Sequence, residues 1–79
     1  MIDERRIELK NFRENHNLTQ REMADKLEIS LIQYQFIELG HRNPSIKVLV
    51  RFKKCFPKAN IENIFLEQNF TNSKQERRR

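Results

Sequence analysis

Residues 18–45 read LTQREMADKLEISLIQYQFIELGHRNPS, and the order of caps, apolar positions and stops in this stretch decides the fold. Thr19 offers a side-chain oxygen ahead of a helix, Glu22 stands three residues on to complete a capping box, and Met23, Ala24 and Leu27 supply an apolar face. A helix is predicted over about 19–27. Glu28 and Ile29 break the periodicity, and Ser30 caps a further helix in which Tyr34 and Ile37 share a face. Gly40, the only glycine in the chain, stops that helix. His41, Arg42, Asn43 and Pro44 then form a polar connection whose proline suits a helix start.

Upstream, Leu9 and Phe12 among charged residues mark a helix from Asp3 to about Asn15, and Asn17 suits the left-handed conformation beyond its end. Downstream, a helix from about Ser45 to Cys55 has Ile46, Leu49, Phe52 and Phe56 as its apolar face, and Pro57 ends it. A short last helix near 61–68 carries Ile61, Ile64 and Phe65. The TNSKQERRR run that follows Phe70 has no apolar residue and is predicted to be disordered. The organisation is one domain over 1–70 and a basic tail over 71–79. One Gly and two Pro are too few for a β-sandwich or a βαβ unit, so the chain reads as all-helical.

At 79 residues, such a chain buries only about 60% of its unfolded surface, a size at which dimerisation is a common aid to stability. Hydrophobic residues make up 37% and charged ones 34%, which excludes extended disorder outside the tail. No apolar run approaches the roughly 18 residues of a membrane span, and no charged then apolar leader opens the chain. Cys55 is the only cysteine, so no internal disulfide forms and a reducing, cytoplasmic setting is expected. The net charge of +5 is unevenly placed. Between Glu38 and Glu62 there is no acid, while Arg42, Lys47, Arg51, Lys53, Lys54 and Lys58 are all cationic. Such a stretch suits a polyanion, or a solvated helix face.

Two helices joined by a turn of about three residues, the second ending at a glycine, form a helix-turn-helix. At this level of detail the residues resemble a known family. LTQREMADKL, IS and YQFIELGHRNPS follow the pattern of the Cro/CI-type (XRE) helix-turn-helix regulators of phages and bacteria, over roughly residues 7–66. The resemblance implies a five-helix, lambda-repressor-like domain that binds double-stranded operator DNA as a homodimer, with the helix from Leu31 as recognition helix. It places Thr19 and Gln20 at a backbone phosphate on the helix start, where exposed N–H groups and the helix dipole favour an anion. For Gln20, simple helix capping is the alternative. Arg42, Asn43 and Lys47 match a second phosphate clamp. Arg13 and Glu38 match a structural ion pair joining the first helix to the end of the third. Ile61, Ile64 and Phe65 are the expected dimer contacts.

Base reading would fall to Leu31, Ile32, Gln33, Gln35 and Phe36, the outward positions of the recognition helix. Relatives usually have polar or cationic residues there, because bidentate hydrogen bonds discriminate base edges. Here three of the five are apolar, and Leu39 extends the strip. Such a strip suits thymine methyl groups, or a second function as a protein-interaction module, for instance as an antitoxin or anti-repressor. Glu28 occupies a turn position that relatives often give to glycine, and Lys53 one that is usually small and buried.

No enzymatic constellation is present: there is no Gly-rich phosphate loop, Ser/His/Asp grouping or nucleophile elbow. His16 and His41 lack companions at metal-ligand spacing, and neither cofactor nor small-molecule ligand is expected. Cys55 reads as a small core residue of the fourth helix. Phe12, Phe52, Phe56 and Phe65 recur at helical spacing and read as core or dimer contacts rather than base-stacking platforms. Arg77, Arg78 and Arg79 suit a phosphate or a minor groove, or a solvated tail.

Overall fold

In the computed structural model, which describes residues 6–66, the chain folds as α1 (Ile7–Asn15), α2 (Gln20–Leu27), α3 (Leu31–Glu38), α4 (Ile46–Cys55) and α5, a π-helical turn at Glu62–Leu66. No strand occurs among the described residues, in line with the all-helical reading. The predicted helix start at Asp3, the end of the last helix at 68, and the tail with Arg77, Arg78 and Arg79 lie outside them.

Local chemistry fixes both ends of the helices. Thr19 Oγ1 accepts from the Glu22 N–H at 3.0 Å, while Glu22 Oε1 accepts from the Thr19 N–H at 2.8 Å. Ser30 and Gln33 make the same reciprocal pair, each bond 3.1 Å, at the start of α3. Ser45 Oγ accepts from Val48 N–H at 3.2 Å to begin α4. Each such cap contributes about 1 kcal/mol. The first three helices end alike, with N–H groups reaching back five residues: Leu18 to Arg13 O, Ile29 to Ala24 O and His41 to Phe36 O, at 3.1, 3.0 and 2.9 Å. That motif holds Asn17, Glu28 and Gly40 at φ of 58°, 62° and 83°. Asparagine and glycine tolerate this region; glutamate enters it at a cost of about 1 kcal/mol. Glu28 thus adopts the conformation that glycine would take, and its carboxylate pairs with Arg51 on α4.

The core lies where the inward stripes of the helices meet. Leu9 of α1, Met23, Ala24 and Leu27 of α2, and Tyr34 and Ile37 of α3 are all buried. Phe52 of α4 is fully enclosed, with ring centroids 5.2 Å from Phe12, 5.0 Å from Phe56 and 4.9 Å from Phe65. α2 packs on α3 and α4, while α1 packs on α3 and α5. Lys53 turns its ammonium group onto Ala59 O at 2.7 Å and so closes the connection after α4.

Three sequence expectations are corrected here. Val48 and Phe52, four residues apart, define the buried side of α4, so Ile46 lies on the opposite side and is 78% exposed. Cys55 is exposed rather than core. It sits in the last turn of α4, level with the end of α2, where its thiol approaches Lys26 O at 3.6 Å and the covering helix runs out. Ile64 and Phe65, expected at a dimer interface, are enclosed by the protomer's own core, packed with Phe52. Of the three residues named for that interface, Ile61 alone keeps partial exposure.

Candidate nucleic-acid interface

Glu38, the last residue of α3, anchors the arrangement. It is buried and accepts from Arg13 Nε at 2.8 Å and Nη2 at 3.3 Å, from the Tyr34 hydroxyl at 2.7 Å and from Gln20 Nε2 at 2.8 Å. Burial alone would raise its carboxyl, but the hydrogen bonds from Arg13, Tyr34 and Gln20 and the Arg13 charge outweigh that and hold it below the usual carboxylate range. The Tyr34 hydroxyl is pushed up, first by its burial and then by its bond to Glu38. Arg13, raised mainly by its bond to Glu38, also donates to Leu18 O at 2.9 Å, which ties the α1–α2 turn to the same anchor.

Gln20 stands between this anchor and the surface. Its Nε2 donates to Glu38, and its Oε1 accepts from Gln35 Nε2 at 3.1 Å, so one amide joins the start of α2 to the side of α3. The carboxylate bond fixes which end of the Gln20 amide carries the donors and leaves its second N–H pointing away from Glu38. By position, the main-chain N–H groups of Gln20 and Arg21 have no acceptor within the helix. A cleft of about 210 Å³ opens beside them, lined by Lys10, Arg13, Gln20, Glu38 and Leu39 among others. Of the cations that line the cleft, Arg13 is paired with Glu38 and Arg6 is buried, while Lys10 is exposed.

The connection from α3 to α4 is held by Arg6. Its guanidinium is buried and donates to Ile37 O at 2.7 Å, Arg42 O at 3.1 Å, Phe65 O at 3.3 Å and Asn43 Oδ1 at 2.7 Å. Desolvation lowers its pKa from the ordinary arginine value. One side chain thereby fixes the main chain at Arg42 and the side chain of Asn43, leaving the Arg42 side chain exposed. Lys47, in the first turn of α4, is exposed as well. Neither Arg6 nor Lys10 is among the residues to which sequence reading assigns a role. A signal for Arg6 exists: it stands three residues before Leu9 and seven before Arg13, on the inward stripe of the first helix.

α3 presents the expected base-reading positions unequally. Ile32 is 62% and Phe36 41% exposed, with Leu39 continuing the stripe at 39%. Leu31 and Gln35 are half-buried. Gln33 is exposed, but its Oε1 is engaged by Ser30. The Phe36 and His41 rings lie nearly perpendicular, with centroids 6.1 Å apart. His16 stacks on Phe12 at 4.1 Å and binds its carbonyl at 2.9 Å. Among the described residues no group of three or more His, Cys, Asp or Glu side chains could hold a metal ion.

Similarity to known proteins agrees with this geometry. A helix-turn-helix family model matches residues 9–57. An uncharacterized HTH-type transcriptional regulator of Methanocaldococcus jannaschii is 39% identical over 77% of this chain and 91% of its own length. Two others from Archaeoglobus fulgidus are 36% and 31% identical over 77% of the chain, covering 84% and 86% of their lengths. No solved structure matches significantly. With a family model spanning residues 9–57, which include α2, α3 and the turn between them, the protein belongs to the helix-turn-helix family of transcriptional regulators.

Proposed function

We propose that this chain is a sequence-specific, double-stranded DNA-binding regulator that acts in the cytoplasm as a homodimer, of the repressor type that phages and mobile elements carry. The observation that carries the reading is the division of α3. Tyr34, Ile37 and Glu38 lock one side into the core, while Ile32, Gln33 and Phe36 remain outward on a helix followed in the chain by the exposed cations Arg42 and Lys47. Leu31, Ile32, Gln33, Gln35 and Phe36 form the base-reading side. Thr19, Gln20, Arg42, Asn43 and Lys47 hold phosphates and set the register, and Lys10 joins them. In a symmetric dimer the two α3 helices lie about 34 Å apart along the duplex. The apolar stripe favours a second reading, in which α3 docks another protein.

Salt distinguishes the two. The affinity of the chain for a fluorescent mixed-sequence duplex, followed from about 50 to about 200 mM salt, falls with a log–log slope of about −0.9 per phosphate contacted. Lys47→Ala makes that slope shallower by about 1 and weakens binding alike on all sequences. A duplex affinity that does not respond to salt contradicts the phosphate assignments and favours the docking of a protein.

A further inference from the structure

Taking the DNA-binding reading as its basis, we infer that α3 recognises its site through the C5-methyl groups of pyrimidines in the major groove, with Ile32 and Phe36 as the specificity-determining side chains. Ile32, Phe36 and Leu39 are spaced four and three residues apart, so they form one stripe, opposite the buried Tyr34, Ile37 and Glu38. The centre of the face that enters a groove is therefore hydrocarbon. Residues 31–38 contain no Lys, Arg or Asn, which removes the bidentate arginine or lysine contact to guanine and the asparagine contact to adenine.

The two glutamines remain, and each has one end of its amide held by the protein. Gln33 Oε1 accepts from the Ser30 N–H at 3.1 Å in the capping box of α3. Gln35 Nε2 donates to Gln20 Oε1 at 3.1 Å. A glutamine that reads adenine uses its oxygen and its nitrogen together. Each amide keeps a second N–H and a further lone pair, but Gln33 is committed to the cap of the recognition helix and Gln35 to the Gln20–Glu38 bridge, whereas Ile32 and Phe36 are presented with no such tie. The stripe between them therefore adds an apolar readout to the two amides and sets the preference at the positions it faces.

Of the groups that base pairs display in the major groove, the C5-methyl of thymine is the apolar one, and 5-methylcytosine carries the same group at the same place. Ile32 is β-branched and stiff at χ1. Phe36 lies near the His41 ring, with centroids 6.1 Å apart and planes near perpendicular. Duplex DNA, rather than an apolar protein surface, is the occupant that the charge favours: Arg42, whose main-chain N–H donates to Phe36 O at 3.2 Å, is exposed at the end of the stripe, Lys47 is exposed at the start of α4, and the sequence has no acid between Glu38 and Glu62.

The test uses duplexes that the full chain recovers from a random library, each remade with deoxyuridine for thymidine, with cytosine in the same places, and with 5-methylcytosine there. Removing one contacted methyl is expected to weaken binding by about fourfold, the factor for withdrawing one buried methyl-sized group from apolar contact. Methylating the cytosine form recovers a similar factor. Ile32→Ala with Phe36→Ala changes only exposed side chains, keeps the helical circular dichroism, and brings the thymidine-to-deoxyuridine ratio close to one while the salt slope persists. Equal binding of the thymidine and deoxyuridine duplexes overturns the inference but leaves DNA binding standing, and is what a stripe that docks a protein gives. Persistence of the ratio in the double variant overturns it too. Recovery of no duplex at any salt removes the DNA-binding reading itself.

Discussion

Glu38→Ala lowers the stability of the domain by about 3–5 kcal/mol, the cost of removing one partner from a buried, hydrogen-bonded ion pair. The magnitude follows from what the carboxylate holds. Arg13, Tyr34 and Gln20 all donate to it, and each of these would be left with a polar group facing a gap. For a chain of 79 residues, whose whole stability is on the order of 5 kcal/mol, that is enough to leave much of the population unfolded. Urea denaturation reads it directly. Arg13→Met is expected to destabilise through the same gap, and the double variant by less than the sum, because the two changes remove one shared interaction. Additive losses would show that Arg13 and Glu38 act separately. The pH dependence has a definite sign. Glu38 is held below the ordinary carboxylate value in the folded protein, so its contribution is complete above about pH 4.3 and is lost as pH falls through the lowered folded value. The urea midpoint of the wild type therefore drops in acid, and in Glu38→Gln this part of the drop is absent.

Arg6→Met ranks next, at about 3 kcal/mol. The aliphatic stem is kept, but Ile37 O, Phe65 O, Arg42 O and Asn43 Oδ1 lose their shared donor. A buried acceptor left unmatched costs about 1–3 kcal/mol; Ile37 O keeps the Gly40 N–H at 3.1 Å, and the acceptors at Arg42 and Asn43 are only partly enclosed, so the loss is less than the sum of four bonds. Arg6→Lys does not restore stability, since one ammonium group cannot span four acceptors that a planar fork reaches together. The variant has a second readout besides stability. Arg42 and Asn43 lose the tether that places them, so hydrogen exchange at 41–43 speeds up more than exchange in α2, and duplex affinity falls by more than Lys47→Ala alone would cause. Uniform acceleration across all helices would assign Arg6 to the core and not to the connection.

Much of this was open to sequence reading because it is local. Thr19 with Glu22, Ser30 ahead of Tyr34, and Gly40 after Glu38 each carry their instruction within four residues, and the helices start and stop there. The positive φ of Glu28 followed from its place in a turn that glycine suits. What was misread depends on neighbours distant in sequence. Ile46, Val48 and Cys55 can be sorted only by knowing where α2 covers α4 and where it stops. Ile64 and Phe65 look like any exposed apolar pair on a short helix until Phe52 is found against them. For Arg6 the spacing to Leu9 and Arg13 shows an inward position but not the role, because a buried arginine that bonds main-chain carbonyls has no partner residue type to search for. Gln33 and Gln35 showed their chemistry in the sequence, but not that Ser30 and Gln20 already hold one end of each amide.

Incubating the purified chain with a random duplex library at moderate salt, and sequencing what it retains, tests whether the outward side of α3 reads duplex DNA from a symmetric dimer. Enrichment of a near-palindromic site is expected, with half-sites about one helical turn apart and thymine at the positions α3 faces. A library that emerges unenriched, from a chain that is folded by circular dichroism, contradicts it.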